Sequence, residues 1–121
     1  METRDKLVRF EKQVRQAAAD IFPKAVLSIT ERGRYRLKIR IELNDQTFID
    51  IFYNPKNDRT DVALIRANQR LFGYDNLGGW HRNPVENPKT HIPCDEPFFD
   101  QVFQEMQTIF DSPPDDPNDH V

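Results

Sequence analysis

Between residues 4 and 22, apolar side chains recur every three or four positions: Leu7, Phe10, Val14, Ala17 with Ala18, and Ile21. That spacing lays them along one stripe of a helix. Thr3 stands where an N-cap hydroxyl belongs, and Pro23 ends the helix by pushing Phe22 out of helical space. The period then changes to two. Residues 25–30 read as a short strand, and Glu31-Arg32-Gly33 as a turn. Residues 34–43 alternate without a break. Tyr35, Leu37, Ile39, Ile41 and Leu43 face one way, while Arg34, Arg36, Lys38, Arg40 and Glu42 face the other.

A turn at 44–46 leads into a strand over 47–53, hairpinned onto its predecessor. A polar loop at 54–58, a strand at 61–67, a tight turn at Asn68-Gln69 and a strand at 70–74 follow. From 75 to 96 the regular pattern stops, broken by Gly78-Gly79, Pro84, Pro88 and Pro93. A loop of about twenty residues inside a small domain is more often functional or bound than idle. Pro97 suits the first turn of a last helix, with Asp95 or Glu96 as its cap. Phe99, Val102, Phe103, Met106, Ile109 and Phe110 form its stripe. Residues 111–121 carry four aspartates, three prolines and no Lys or Arg, the composition of a disordered acidic tail. The expected fold is α+β: one domain over residues 1–110, a five-stranded antiparallel meander with an N-terminal and a C-terminal helix packed on one face.

Charge sharpens this picture. The 121 residues sum to −3, yet residues 1–40 hold 11 Lys/Arg against 5 Asp/Glu, and the remainder 6 against 15. The average charge therefore does not exclude a polyanionic partner. No apolar run approaches the ~20 residues of a membrane span, and the first nine residues show no signal-peptide stretch. A single cysteine, Cys94, forms no internal disulfide, which points to a reducing cytoplasm.

Candidate chemistry sits at two places. The cationic row Arg34, Arg36, Lys38 and Arg40, about 6.6 Å apart on one strand face, has the charge density to bind phosphates. Its plain reading is a solvated face paired with Glu31, Glu42 or Asp50. His81 and His91 are the simplest pair for metal-free phosphodiester cleavage, one taking the 2′-hydroxyl proton and the other protonating the leaving oxygen. Arg82 is placed to hold phosphate, and Trp80 either anchors the loop to the core or stacks on a base. Ten residues of separation do not say whether the histidines meet. Two further readings are open: a zinc site from Asp75, His81, His91 and Cys94, and Cys94 as a nucleophile with a histidine base.

The strand running from Tyr35 to Leu43, the segment Phe72-Gly73-Tyr74-Asp75-Asn76 and the histidine loop together resemble the TumE family, the toxin half of a prokaryotic toxin–antitoxin module. The likeness covers roughly residues 25–95, on Asp75, Asn76, His81, Pro88 and His91. Two histidines stand here where the family carries a denser cluster. The resemblance implies a growth-inhibiting protein neutralised by a cognate antitoxin, with RNA as its target and Asp75-Asn76 as a structural part of the loop. The leading expectation is a metal-independent, cofactor-free endoribonuclease using His81 and His91. Expected partners are an antitoxin, RNA and a second copy of the chain, with no membrane. The alternative is a non-catalytic module whose cationic face binds nucleic acid or an acidic protein. The acidic tail is then either a solubility device or a tethered competitor for that face.

Overall fold

Isoleucine, leucine and aromatic residues at alternate positions set the architecture. The computed structural model describes residues 2–112. Its elements run α1 (Thr3–Ile21), β1 (Val26–Arg32), β2 (Leu37–Glu42), β3 (Thr47–Asn54), β4 (Arg59–Arg66), β5 (Gln69–Asp75), β6 (His81–Asn83), β7 (Ile92–Pro93) and α2 (Phe99–Asp111). The strands form one antiparallel meander in chain order. The α+β class agrees with the sequence reading, but the sheet has seven strands where the pattern predicts five. The two additional strands lie inside the segment expected to be irregular. Strands of three and two residues are too short to display a period, and the Gly and Pro around them read as loop. They exist because β5 offers an unpaired edge: Gly73, Tyr74 and Asp75 pair with Asn83, Arg82 and His81.

One face of the sheet is the core. In β3 every second side chain is buried: Thr47, Ile49, Ile51 and Tyr53. Leu37, Ile39 and Ile41 of β2 and Phe72 and Tyr74 of β5 join them. Both helices cover this side. Phe10 of α1 stacks on Tyr53 at 4.1 Å, Phe99 of α2 meets the edge of Phe10 at 5.3 Å, and Phe22 lies 5.9 Å from Phe103. Burying each such ring contributes roughly 1.5–3 kcal/mol. The other face carries Lys38, Arg40, Phe48, Asp50, Phe52, Asp61 and Ile65, and among the described residues no helix covers it.

Several boundaries depart from the sequence reading. Glu2, not Thr3, is the N-cap of α1, and Phe98, not Asp95 or Glu96, that of α2; neither makes a side-chain cap bond. Asp5 and Asp100 instead place a negative charge in each first turn, where the helix dipole favours it. Asp111 ends α2 rather than starting a tail, and residues 113–121 of the expected tail lie outside the described residues. The first hairpin turn spans 33–36, closed by Gly33 N–H donating to Arg36 O at 2.8 Å, so Arg34 and Arg36 precede β2. The turn between β4 and β5 is Ala67-Asn68, with φ of 50° and 64°, the doubly left-handed turn that matches strand twist. No helix among the described residues is long and apolar enough to cross a membrane.

Two core tyrosines carry polar anchors. Tyr53 donates to Asp58 at 3.0 Å and Tyr74 to Glu105 at 2.7 Å. Burial first, then the adjacent carboxylate, pushes Tyr53 up to about 12 and raises Tyr74 as well. A phenol raised in the fold stabilises it fully below its unfolded value near 10, and that contribution is lost as pH rises through the folded value. Stability is therefore expected to fall between about pH 10 and pH 12, and Tyr53→Phe to flatten the fall. Urea unfolding at stepped alkaline pH measures this; an unchanged slope in Tyr53→Phe would contradict it.

Candidate active site

Residues directly opposite one another on neighbouring strands share a face of the sheet. One rung of the open face reads Lys38, Phe52, Asp61, Asp75, His81, Pro93. The next reads Arg40, Asp50, Ala63, Gly73, Asn83. The cationic strand and the histidine strand thus lie on the same side, four strand spacings or about 19 Å apart.

At the β5–β7 end three side chains converge. The His81 and His91 rings are 4.9 Å apart, centroid to centroid, at 75°. His81 Nε2 lies 3.1 Å from Asp75 Oδ1. The Asp75 side chain is 11% exposed, and its Oδ1 also accepts the Leu77 N–H at 3.0 Å. Asp75 thus holds the His81 ring with Nδ1 unoccupied by it. Asp75 was expected as a structural loop residue; it is the last residue of β5 and the partner of His81. His91 reaches the cluster because the chain turns back after β6. Two backbone bonds, Asn87 to Pro84 and Thr90 to Asn87, make that turn around Pro88. Asn83 closes it with bonds to Thr90 O at 3.1 Å and His91 Nδ1 at 3.3 Å.

Other candidates go elsewhere. Alternation in β6 turns Arg82 to the helix side, where it lies over Phe72 and 3.5 Å from Glu105. The expected phosphate role for Arg82 at the histidines therefore does not fit its position. Trp80 packs against the core and lines the helix-side cavity, which favours anchoring over base stacking. Cys94 also lies on that side, tied by its N–H to Trp80 O at 3.1 Å. Burial, and secondarily Asp95, pushes its thiol up, so it is an unactivated thiol separated from both histidines by the sheet. Asn76 is structural: it accepts Thr60 N–H at 2.8 Å and donates to Asp58 O at 2.8 Å.

The cationic row is largely paired with carboxylates of the neighbouring strands. Arg36 and Lys38 share Glu31 at 3.0 and 3.7 Å, and Arg40 grips Asp50 through two bonds of 2.8 and 3.0 Å. Arg36 and Arg40 also lie over Phe52 and Phe48. Arg34 forms no ion pair among the described residues and lies over Tyr35. A depression of about 560 Å³ connects Lys38 and Arg40 with Asp61 and Arg70. A larger cavity, about 1060 Å³, lies between α1 and the start of α2, lined by Arg9, Phe10, Trp80 and Phe98. It is on the wrong side of the sheet for the histidines.

Asp75, His81 and His91 each offer a ligand atom within 4.8 Å of the others, a two-histidine, one-carboxylate donor set. Of the ring nitrogens, His81 Nε2 lies against Asp75 and His91 Nδ1 against Asn83, and Cys94 is absent from the group. Sequence reasoning missed Asp61, Arg70 and Asn83. Arg70 donates to Asp61 at 3.2 Å and to Asn83 at 2.8 Å. Strict alternation with Phe72 and Tyr74 would bury Arg70 under the helices. A register shift pairs Leu64 with Phe72 but Ile65 with Arg70, so Leu71 is the additional residue and Arg70 moves to the open face. No protein-family model matches the chain, and no curated protein or solved structure matches it either.

Proposed function

We propose that this protein cleaves RNA without a metal and serves as the toxin of a toxin–antitoxin pair. The observation that carries the reading is the meeting of His81 and His91, 4.9 Å apart, with Asp75 orienting the first. His81 takes the proton of a ribose 2′-hydroxyl through Nδ1, and Asp75 steadies the imidazolium that forms. The 2′-oxygen attacks phosphorus and the bond to the 5′-oxygen breaks, with His91 facing the departing oxygen, which finally takes the proton that His81 holds. The products are a 2′,3′-cyclic phosphate and a 5′-hydroxyl end. The toxin assignment draws on the family likeness at Asp75, Asn76, His81, Pro88 and His91.

The test is purified protein with single-stranded RNA, with and without a chelator, and mass analysis of the new ends. Cyclic phosphate and 5′-hydroxyl ends at equal rates in both samples are expected. Cleavage that stops in chelator, or no cleavage, would overturn the reading. The second reading, a binding module, draws on the helix-free face and its Arg–Phe stacks. Under it, charge reversal at Arg36 and Lys38 abolishes polyanion binding while histidine substitutions leave it unchanged.

A further inference from the structure

Asn83 is 2% exposed, although it belongs to the face without helices. Its amide has no freedom to flip. A guanidinium only donates, so the end 2.8 Å from Arg70 Nη2 is the oxygen. The Thr90 carbonyl only accepts, so the end 3.1 Å from it is the NH₂ group. Both neighbours impose the same orientation. The second amide hydrogen then points at His91 Nδ1, 3.3 Å away. A ring nitrogen facing a donor must offer its lone pair, so neutral His91 carries its proton on Nε2.

Arg70 is itself held in place. Asp61 accepts from it at 3.2 Å. Its guanidinium reaches Asn83 by lying over Gly73, where any Cβ would come within 2.5 Å of Nη2. Asp61, Arg70 and Asn83 therefore form a continuous chain ending on one nitrogen of His91.

We propose that Asp61, Arg70 and Asn83 act as a positioning relay that locks His91 in its Nε2–H tautomer. The two imidazoles are then presented in opposite senses. His81 gives its N–H to Asp75 and shows a lone pair at Nδ1; His91 receives an N–H and shows one at Nε2. The catalytic consequence rests on the ribonuclease reading above. Neutral His91 contributes a hydrogen bond to the departing or phosphoryl oxygen rather than surrendering its proton, which would leave an imidazolate. The proton that the 5′-oxygen finally keeps is the one His81 took from the 2′-hydroxyl, so the proton count closes. The same arrangement leaves His91 no free lone pair for a cation.

The test separates the relay from the reaction. Two-bond ring ¹H–¹⁵N correlations of the full chain report each histidine's tautomer directly. Wild-type His91 is expected to show the Nε2–H pattern. In Asn83→Asp the carboxylate accepts, and His91 is expected to switch to Nδ1–H. RNA cleavage is expected to drop by roughly 10²-fold or more with little change in KM, since the donor to the transition state is lost. Arg70→Gln, which frees the amide to turn, is expected to show both tautomers. A wild-type Nδ1–H pattern, or Asn83→Asp retaining Nε2–H, overturns the relay whether or not RNA is cleaved. A wild-type chain with the Nε2–H pattern that cleaves no RNA supports the relay and overturns the ribonuclease reading.

Discussion

Alanine at His81 is expected to lower RNA cleavage by about 10²–10⁴-fold, the usual worth of a positioned acid–base group. In the proposed reaction the proton goes to its Nδ1, because Nε2 is engaged by Asp75 at 3.1 Å. The fold is expected to survive. Asp75 retains the Leu77 N–H at 3.0 Å, and the lost hydrogen bond costs about 1–3 kcal/mol because the carboxylate is buried. His91→Ala is expected to act on the same step. The double variant is expected to be little worse than the more damaging single one, because groups that act as a unit do not add. Single-turnover cleavage measures the rates, and growth arrest on induced expression reports the cellular effect. If the double variant stays as toxic and as active as wild type, the histidines are not the catalytic groups.

Gly73→Ala is expected to destabilise the chain by about 1–3 kcal/mol, the range for overpacking. The usual expectation in a strand runs the other way, because alanine restricts the unfolded chain more than glycine does. Sterics decide the sign here. The new Cβ would stand 2.6 Å from Val62 O, a backbone atom of the neighbouring strand, and 2.5 Å from Arg70 Nη2. The side chain can swing aside; the carbonyl cannot. The variant therefore strains the β4–β5 ladder and also lifts Arg70 off Asn83. Gly33→Ala is the matched control, since its Cβ would meet only Arg36 O, at an ordinary 3.6 Å. It is expected to change stability by less than about 0.5 kcal/mol. Urea unfolding of both variants makes the comparison. Equal midpoints would show that the close approach at Gly73 is not a constraint.

Much of the scaffold was legible because burial imposes a period. Phe10, Val14 and Ala17 recur as a helix stripe must, and Ile39 and Ile41 alternate with Lys38 and Arg40 as a half-buried strand must. Where an element is too short to repeat its period, the signal disappears. β6 shows three residues, and its pairing came from the free edge of β5 rather than from its own composition. Lys38 and Arg40 were read correctly as a face of β2, while Arg34 and Arg36 fall in the turn before it, and the pairing with Glu31 and Asp50 stood as the plain alternative that register decides. Glu31 and Asp50 come from the neighbouring strands, and only their register brings them to Arg36, Lys38 and Arg40. Exposed pairs of this kind add about 0–1 kcal/mol each, so their main effect is to lower the positive potential of the face.

The sequence alone determined the class of the fold and the helix and strand faces that form its core, and it singled out His81 and His91 as candidates for acid–base chemistry. These follow from local chemistry: a side chain's hydrophobicity, its spacing and its acid–base range belong to the residue itself. Only the tertiary structure decided that His81 and His91 meet, that Asp75 and Asn83 hold them, and that Arg82, Trp80 and Cys94 face the opposite way. Those outcomes depend on strand register and on one bulge in β5. A shift of a single residue exchanges the two faces of a strand without altering its composition.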